Sequence, residues 1–316
     1  MTWVLASIAD STRDRELRTR RVDPQATRST LRTDDALVGT VVAGLTIDRV
    51  LAEGGMGIVY AARTAAGASV ALKVLQPRHA NDVGLRSRFE REIAFMQRID
   101  HPHVARVLER GELADGRPWF TTALEDGGAT LGSLVRGAGP LDLDRALEIG
   151  CEVLAGLEAV HAAGIVHRDL QPDNVLLGAR GVRIIDFGFA HLEGVDTGDG
   201  VTPDSPGALV GTLRFMSPEQ ATRSRALTVR SDLFTCALLV YYALTGKLPF
   251  RGRCDRNVMV SIVRSSPTPL RRERRDAPLM LETVLSRALA KHPDARYATA
   301  KEMRQELERV RAHMRP

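Results

Sequence analysis

The spacing of apolar residues changes part-way along the chain, and this change restricts the fold more than any other feature of the sequence. From Leu37 onward, three short β-rich runs, LTIDRVL, IVYAAR and SVALKVL, are separated by the turn-forming segments EGGMG and TAAGA. They predict three consecutive antiparallel strands. From Leu143 onward the apolar residues have broadly helical spacing instead. The pattern predicts a small β-rich lobe, a larger helical lobe and a ligand-binding cleft between them.

Two helical patterns give this outline more detail. Phe89, Ile93 and Met96 lie at i, i+4 and i+7, with Glu92 beside them, so a carboxylate is expected at the edge of a buried helical face. The run Leu233–Leu244 is apolar nearly all round. It is shorter than the roughly 18 residues of a membrane span, so it predicts a helix enclosed by others.

Composition separates the chain into regions. Of 316 residues, 44% are hydrophobic and 26% are charged, which argues against a largely disordered or fibrous protein. Residues 1–36 are rich in Arg, Ser, Thr and Asp without apolar periodicity, and they predict a flexible basic tail. We predict the β-rich lobe over residues 37–123 and the helical lobe over residues 124–316.

Charge and cysteine usage indicate the kind of environment. Residues 251–316 hold 16 Lys and Arg against 8 Asp and Glu, but no aromatic residues interleave with these arginines. We therefore interpret the basic region as a solvated face, with nucleic acid an unlikely partner. Three widely spaced cysteines and a start without a basic n-region predict reduced thiols, no secretory signal, no membrane span and a cytoplasmic location.

The strongest chemical signals are polar residues in short motifs. The glycines of EGGMG would let the backbone approach a ligand such as phosphate closely, although glycines between strands more often form only a hairpin turn. Lys73 in VALK lies inside an apolar strand and needs a partner, which Glu92 can supply. Asp169 and Asn174 in HRDLQPDN, followed by Asp186 in IIDFG, suit a base and a Mg²⁺ site.

In this order, the motifs resemble those of the eukaryotic-like serine/threonine protein kinases of bacteria. The resemblance covers about Leu45 to Leu307 and extends to FEREI, GTLRFMSPEQ, SDLF, LTGKLPF and HPDARY. It implies an α+β, bilobal protein-kinase-like fold, with a β-rich N-lobe carrying one main helix and a mostly helical C-lobe. It also implies transfer of the γ-phosphate of Mg-ATP to Ser/Thr hydroxyls of protein substrates.

The resemblance implies roles for individual residues. Asp169 would accept the substrate proton, Asn174 and Asp186 would hold Mg²⁺, and Arg168 would bind an activation-loop phosphate. Gln171 stands where the family has a lysine that contacts the γ-phosphate. The residues implied to bind ATP are Ala52, Gly54, Gly55, Gly57, Val59, Ala71, Lys73, Thr122, Ala123, Leu124, Glu125, Leu176 and Asp186.

Regulation and structural support are also implied. Thr202, Ser205 and Thr212 are the candidate regulatory hydroxyls, and phosphorylation between two copies of the chain would need a transient homodimer. Ser217, with Thr212, would form a wall on the substrate side. Two contacts in the C-lobe are expected, from Glu219 to Arg296 and from Asp232 to the catalytic loop.

Four positions depart from the family pattern. Ala52 replaces a glycine of the phosphate loop, Gln171 replaces the lysine, Ala123 replaces an acidic hinge residue and Ala237 replaces a glycine. The loss at Gln171 is the most serious, because a neutral amide forfeits charge-assisted hydrogen bonding. We favour an active kinase, while a nucleotide-binding pseudokinase scaffold and a small-molecule phosphotransferase remain the alternatives.

Overall fold

The computed structural model describes residues 35–125, 128–193, 212–224 and 227–314. Nearly all of the predicted tail, residues 1–36, lies outside these ranges. Residues 33–316 group into one compact unit, and the lobe boundary at residue 123 stays a prediction. The strands are β1 Val41–Val42, β2 Leu45–Glu53, β3 Gly57–Arg63, β4 Ser69–Leu75, β5 Val107–Glu112, β6 Pro118–Ala123, β7 Ala129–Thr130, β8 Ile165–Val166, β9 Val175–Gly178, β10 Gly181–Ile184 and β11 His191–Leu192.

Helices dominate the second half of the chain, as the apolar spacing predicts. None of those described combines the length and hydropathy needed to cross a membrane. The helices are α1 Val83–Gln97, α2 Leu131–Ala138, α3 Leu143–Ala162, α4 Pro218–Ala221, α5 Val229–Thr245, α6 Asp255–Arg264, α7 Leu270–Glu273, α8 Leu279–Ala288 and α9 Ala300–Met314.

The first half of the chain forms a six-stranded antiparallel sheet. The strands lie in the order β1-β2-β3-β4-β6-β5, and the three predicted strands are β2, β3 and β4. Strand β5 is an edge strand that the sequence pattern missed, because its segment VLERGE is mostly exposed and shows no apolar alternation. Tyr60, Leu72 and Val74 are buried on one side of this sheet.

Helix α1 confirms the predicted helical face. It begins after Asp82, whose carboxylate accepts a hydrogen bond from the Leu85 amide at 3.0 Å and so satisfies a free N–H of the first turn. The buried side of the helix includes Phe89, Ile93 and Glu92. A carboxylate is therefore held inside the molecule by the apolar packing of its neighbours.

The second half is built around α3 and α5. Of the 17 residues of α5, 14 are buried, which confirms that this apolar run is enclosed by other helices. The two helices approach closely, since a methyl group added at Gly150 of α3 would lie only 2.7 Å from Val240 Cγ2. Helix α3 ends before Gly164, whose φ of +70° is the left-handed conformation predicted for a helix-terminating glycine.

A short backbone seam joins the loop after α1 to strand β10. Val104 and Ile184 form a parallel bridge. The Ala105 amide donates to Ile184 O and the Ile184 amide donates to His103 O, both at 2.9 Å. The segment that carries Asp186 is thus attached directly to the polypeptide that carries Glu92.

Candidate active site

One ammonium and two carboxylates converge between the sheet and the segment after β10. Lys73 on β4 donates to Glu92 Oε1 on α1 at 2.7 Å and to Asp186 Oδ1 at 3.2 Å. The strand carrying Lys73 lies close to β3, since a Cβ added at Gly57 would lie 3.0 Å from Val74 O and 3.5 Å from Lys73 Cε. The predicted Lys73–Glu92 pair is confirmed, and Asp186 joins it.

Burial sets the charges of this cluster. Glu92 is 1% exposed, and desolvation raises its pKa to about 7 even though Lys73 favours the ionised form. Burial by itself would lower the pKa of Lys73, but Asp186 and Glu92 outweigh it and raise the pKa. Glu92 Oε2 is buried without a well-formed hydrogen bond among the described residues. The ammonium therefore stays charged, whereas its carboxylate partner titrates near neutrality.

Asp169 and Asn174 form a second group on the loop between β8 and β9. Asn174 donates from Nδ2 to Asp169 O at 2.8 Å and to Asp169 Oδ2 at 3.2 Å. Asp169 is 7% exposed. Burial and then the charge of Asp186 raise its pKa well above the usual aspartate value, against the opposing bond from Asn174. A buried carboxylate with a raised pKa is suited to accept a proton near neutral pH.

The loop that holds Asp169 is anchored by α5. Asp232 accepts hydrogen bonds from the backbone amides of His167 and Arg168, each at 2.9 Å, which confirms the predicted contact. Arg168 has a φ of +64°, a costly conformation for a side-chain-bearing residue. Gln220 of α4 donates from Nε2 to Arg168 O at 2.6 Å. Contacts from two helices thus hold the strained turn that presents Asp169.

The properties of Asp186 suit a metal ligand. Its backbone also has a left-handed φ, +65°, and its side chain is 40% exposed. Desolvation would raise its pKa, but the Lys73 ammonium and the Gly188 amide outweigh that effect and lower it, so it is ionised. Asn174 donates through its amide nitrogen to Asp169, which leaves its amide oxygen as an acceptor. A carboxylate and an amide oxygen suit a hard divalent cation that also binds phosphates.

The glycine-rich turn between β2 and β3 is fastened by two side chains that the sequence analysis missed. The Gly54 amide donates to Gly57 O at 2.9 Å and closes the turn. Gln76 donates from Nε2 to Gly54 O, and His79 Nε2 lies 2.9 Å from Gly55 O. The only sequence signal was a polar Gln directly after an apolar strand, which is not specific.

Several of the residues predicted to bind ATP lie on facing strands. Ala52 faces Val59 across β2 and β3, and Ala71 faces Thr122 across β4 and β6. The side chains of Val59, Ala71 and Thr122 are half-buried, while Ala52 is exposed at the end of β2. Leu176 on β9, also half-buried, comes from the other half of the chain.

The connection after β6 has a feature that the sequence did not indicate. Ala123 ends β6, and Leu124 and Glu125 follow it. The family resemblance implies that these residues offer backbone groups to the adenine edge. The Glu125 side chain is 7% exposed and forms an ion pair with Arg183 on β10. This pair fixes the connection to the β9–β10 hairpin, and no motif predicts it because the two residues are distant in sequence.

Other predicted residues have mixed outcomes. Gln171 is half-buried directly after the catalytic turn, and its carbonyl accepts from the Asn174 amide at 2.9 Å. Ser217 is fully buried and caps α4 through a reciprocal pair of bonds with Gln220, so its prediction as a substrate-facing wall is wrong. Thr202 and Ser205, and the side chain of Thr212, lie outside the described residues.

A second ion pair lies deep among the C-terminal helices. Arg296 is 2% exposed, and its Nη1 and Nη2 donate to the two oxygens of Glu219 at 2.7 and 2.8 Å. Ser231 donates to the same carboxylate at 2.6 Å. Desolvation raises the pKa of Glu219, but the bonds and charge of Arg296 outweigh it and lower the pKa. This confirms the predicted pair and its buttressing position.

The chain is similar to known protein kinases over most of its length. The model of the protein kinase domain matches residues 45–307. The chain belongs to the protein kinase family. Among its relatives, serine/threonine-protein kinase PknB of Mycolicibacterium smegmatis is 36% identical over 275 residues, which are 85% of this chain and 43% of that protein. Serine/threonine-protein kinase pkn3 of Myxococcus xanthus is 34% identical over 88% of this chain and 52% of that protein.

Solved structures agree with this assignment. The kinase domain of Mycobacterium tuberculosis PknI superimposes with a TM-score of 0.65 and 28% identity, over 86% of this chain and 98% of that domain. The likeness confirms the bilobal kinase fold, and the relatives place the chain with the bacterial serine/threonine kinases. This kinase spans about half or less of the length of the curated relatives. Family membership implies the use of ATP and a divalent metal ion.

Proposed function

We propose that this kinase transfers the γ-phosphate of Mg-ATP to Ser and Thr hydroxyls of protein substrates. The observation that carries the proposal is the convergence of Lys73, Glu92 and Asp186 within 3.2 Å contacts. Asp169 and Asn174 lie on the adjoining loop. This set supplies a cation for phosphates, oxygen donors for a metal and a base for the acceptor hydroxyl.

The chemistry follows from positions and charges. Lys73, kept cationic and aimed by Glu92, binds the α- and β-phosphates, while backbone of Gly54, Gly55 and Gly57 covers the triphosphate. Asp169 first accepts a hydrogen bond from the acceptor hydroxyl and then takes its proton as the phosphoryl group is transferred. The protein forms no covalent bond to the phosphoryl group. Rate acceleration comes from orientation and neutralisation of charge.

The metal is assigned as Mg²⁺ from its ligands. Asp186 and the amide oxygen of Asn174 are hard oxygen donors, and Mg²⁺ prefers one or two such groups together with phosphate oxygens. When bound, the metal neutralises charge on the phosphates. The adenine is assigned to Val59, Ala71 and Leu176, with backbone of the connection after β6 recognising its edge.

We expect Gln171 to lower the rate of phosphoryl transfer without changing the kind of reaction. A neutral amide in place of an ammonium loses charge-assisted hydrogen bonding to the γ-phosphate, and this slows transfer without removing the metal ligands or the base. No finding favours the pseudokinase alternative, and the five residues assigned to phosphate, metal and proton, Lys73, Glu92, Asp169, Asn174 and Asp186, are all present.

Regulation and setting complete the proposal. Thr202, Ser205 and Thr212 are the proposed regulatory hydroxyls, phosphorylated between two copies of the chain in a transient homodimer, with Arg168 receiving the phosphate. A cytoplasmic location is supported by the three free thiols, Cys151, Cys236 and Cys254.

The experiment compares the native chain with Asp169→Asn. Purified protein is incubated with Mg-ATP and a generic Ser/Thr protein substrate, and phosphosites are mapped by mass spectrometry. Removing a general base costs roughly 10²- to 10⁴-fold in rate, so incorporation should become almost undetectable. Nucleotide binding, measured by fluorescence of an ATP analogue, should persist.

The controls separate loss of chemistry from loss of fold. Asp173→Asn changes an exposed aspartate four residues along the same loop, and it should leave transfer largely intact. Nucleotide binding by the native chain with no transfer to itself or to any substrate would favour the scaffold instead. Equal transfer by the native chain and Asp169→Asn would refute the assigned base.

A further inference from the structure

Positive charge is concentrated in one short stretch of the C-terminal half. The 25 residues from 251 to 275 contain 8 Arg against 2 acidic residues, a net charge of +6. Because the whole chain carries +5, all the remaining residues together carry −1. We call the surface formed by this stretch the arginine face. It comprises α6, α7 and the loops that border them.

Much of this charge has no counter-charge. Five exposed arginines of the arginine face have guanidinium groups that make no ion pair within the part of the chain that the structure describes. They are Arg253, Arg264, Arg271, Arg272 and Arg275. Repulsion among the arginines of so short a stretch costs electrostatic free energy that a bound anion would recover.

Helix α9 shows that this is not a general property of the arginines here. Arg304 pairs with Glu158 and Glu308, and Arg311 pairs with Asp144 and Glu148. The arginines of that helix are matched to carboxylates of the same chain. Pairing within the chain therefore accounts for the arginines of α9, but it does not account for Arg253, Arg264, Arg271, Arg272 and Arg275.

The arginine face adjoins the segment that leads into α4. Asp255, the first residue of α6, accepts a hydrogen bond from Arg214 Nε at 2.9 Å. Arg214 lies in a 3₁₀ turn over Thr212–Phe215, directly before Ser217 and α4. The ion pair between Arg214 and Asp255 thus connects α6 to the segment that leads into α4. Helix α4 in turn contacts the catalytic loop through the hydrogen bond from Gln220 to Arg168 O.

The chemistry of the face favours one class of partner. Residues 251–276 contain no aromatic side chain on which nucleic acid bases or a membrane interface could act. Val260 on α6 is 49% exposed, and it lies one turn from both Arg256 and Arg264. Guanidinium groups bind carboxylates in bidentate pairs, and an apolar contact in their midst suits a polypeptide.

We propose that the arginine face docks an acidic segment, rich in Asp and Glu, of the protein substrate. This inference rests on the proposed function and names the substrate class of the same site. Docking on the arginine face raises the local concentration of the acceptor hydroxyl at Asp169 without changing the chemistry. It therefore lowers the KM for acidic substrates and leaves kcat unchanged.

The experiment uses two peptides with the same Ser acceptor and flexible spacer, ending in six acidic residues or in their amide counterparts. The test variant combines Arg264→Gln, Arg271→Gln and Arg272→Gln. An exposed ion pair changes affinity by a factor of roughly 1.5 to 5, so three together should raise the KM for the acidic peptide about tenfold. The values of kcat, KM for ATP and KM for the neutral peptide should not change.

Two matched variants test whether position and charge both matter. Replacing the same three residues by Lys keeps the charge and should retain most of the preference. Replacing Arg49, Arg106 and Arg110, which are exposed on the β-rich half, by Gln removes equal charge elsewhere and should leave the preference intact. Raising the salt concentration from 50 to 500 mM should abolish the preference in the native chain.

A binding assay separates this proposal from the proposed function. A fluorescein-labelled acidic segment without a Ser acceptor is titrated with the native chain and followed by anisotropy, which needs no catalysis. Binding with no phosphorylation of any peptide would refute the kinase activity and support the arginine face. Equal KM values for the two native-chain peptides, an unchanged KM in the test variant, or tighter binding of a DNA duplex than of the acidic segment would overturn the docking proposal.

Discussion

Two buried cation–carboxylate pairs in this kinase have opposite electrostatic character. In the C-terminal half, Arg296 donates five hydrogen bonds, two to Glu219 and three to backbone carbonyls, and the pKa of Glu219 is lowered. In the cleft, Lys73 is shared between Glu92 and Asp186, and the pKa of Glu92 is raised to about 7.

The difference shows that a buried ion pair with all its hydrogen-bond donors in use has a structural role, whereas a pair that can still bind a ligand has a functional one. A buried pair whose every donor is used holds the surrounding elements in one arrangement, and its loss leaves an uncompensated charge. A pair whose ammonium is shared between two carboxylates can also bind a further anion, here the proposed triphosphate. The first pair should therefore affect stability, and the second should affect activity.

The largest effect is expected from Arg296→Met. Breaking this pair strands the Glu219 carboxylate among apolar residues and should lower the free energy of unfolding by about 3–5 kcal/mol. Urea denaturation followed by circular dichroism measures the change. Arg309→Met, which removes an exposed partner of Glu306, is the matched control and should cost little. Equal losses in both variants would contradict the comparison.

Next in size is the effect of Lys73→Met, which should lower activity and leave stability nearly unchanged. Removing a preorganised cation from a charged reaction centre costs roughly 10²- to 10³-fold in rate. The free energy of unfolding should stay within about 1 kcal/mol, because Met fills the space and Glu92, whose pKa is already about 7, takes up a proton once the ammonium is gone. Steady-state kinetics and urea denaturation on one preparation measure both. Destabilisation as large as that of Arg296→Met would show that the cleft pair is structural.

A gain of activity is expected from Gln171→Lys. An added ammonium restores a charge-assisted bond, and a gain of about 1.5 kcal/mol in the transition state corresponds to about tenfold in kcat. Gln171→Met, similar in length but without a donor, is the control and should lower kcat. No change in either variant would place this side chain away from the γ-phosphate.

The smallest effect concerns pH. With a pKa of about 7, Glu92 gains a proton as the pH falls, and protonation breaks its pair with Lys73. Between pH 7 and pH 6 the ionised fraction falls from one half to about one tenth, so kcat/KM should fall about fivefold. Initial rates across this range measure it.

The contrasting carboxylate provides the internal reference for this titration. The pKa of Glu219 is lowered, so its stabilising contribution is fully present above the ordinary glutamate value and is lost only in stronger acid. The contribution of this pair, measured as the difference in free energy of unfolding between the native chain and Arg296→Met, should therefore hold steady from pH 7 to pH 6. If Glu92→Gln keeps the same acid limb, the titrating group is Asp169, whose pKa is also raised.

The sequence predicted those parts of the molecule that follow local periodicity. Helix α5, the strands β2 to β4 and the buried face around Glu92 are confirmed, because burial imposes a repeat that can be read from a few residues. Strand β5 was missed, since an exposed edge needs no apolar alternation. Motif order was enough to predict the pairing of Lys73 with Glu92.

Contacts between distant segments were beyond local patterns. The pairing of Glu125 with Arg183 depends on how a hairpin of one half folds beside a connection from the other. The prediction that Ser217 faces the substrate is wrong because its hydroxyl caps α4. That use of the hydroxyl depends on how the chain folds around α4 and cannot be predicted from a motif. The roles assigned to the ATP and metal ligands stay predictions that the experiments above address.

The seam between Val104 and Ile184 has a mechanical consequence. If the cleft opened by rotation about the two backbone hydrogen bonds of the seam, each atom would be displaced in proportion to its distance from that axis. Asp186 is only two residues beyond Ile184, whereas the glycine-rich turn between β2 and β3 is separated from the seam along the chain by β3, β4 and α1. Opening of the cleft would thus sweep the turn aside and leave the metal-binding carboxylate almost stationary.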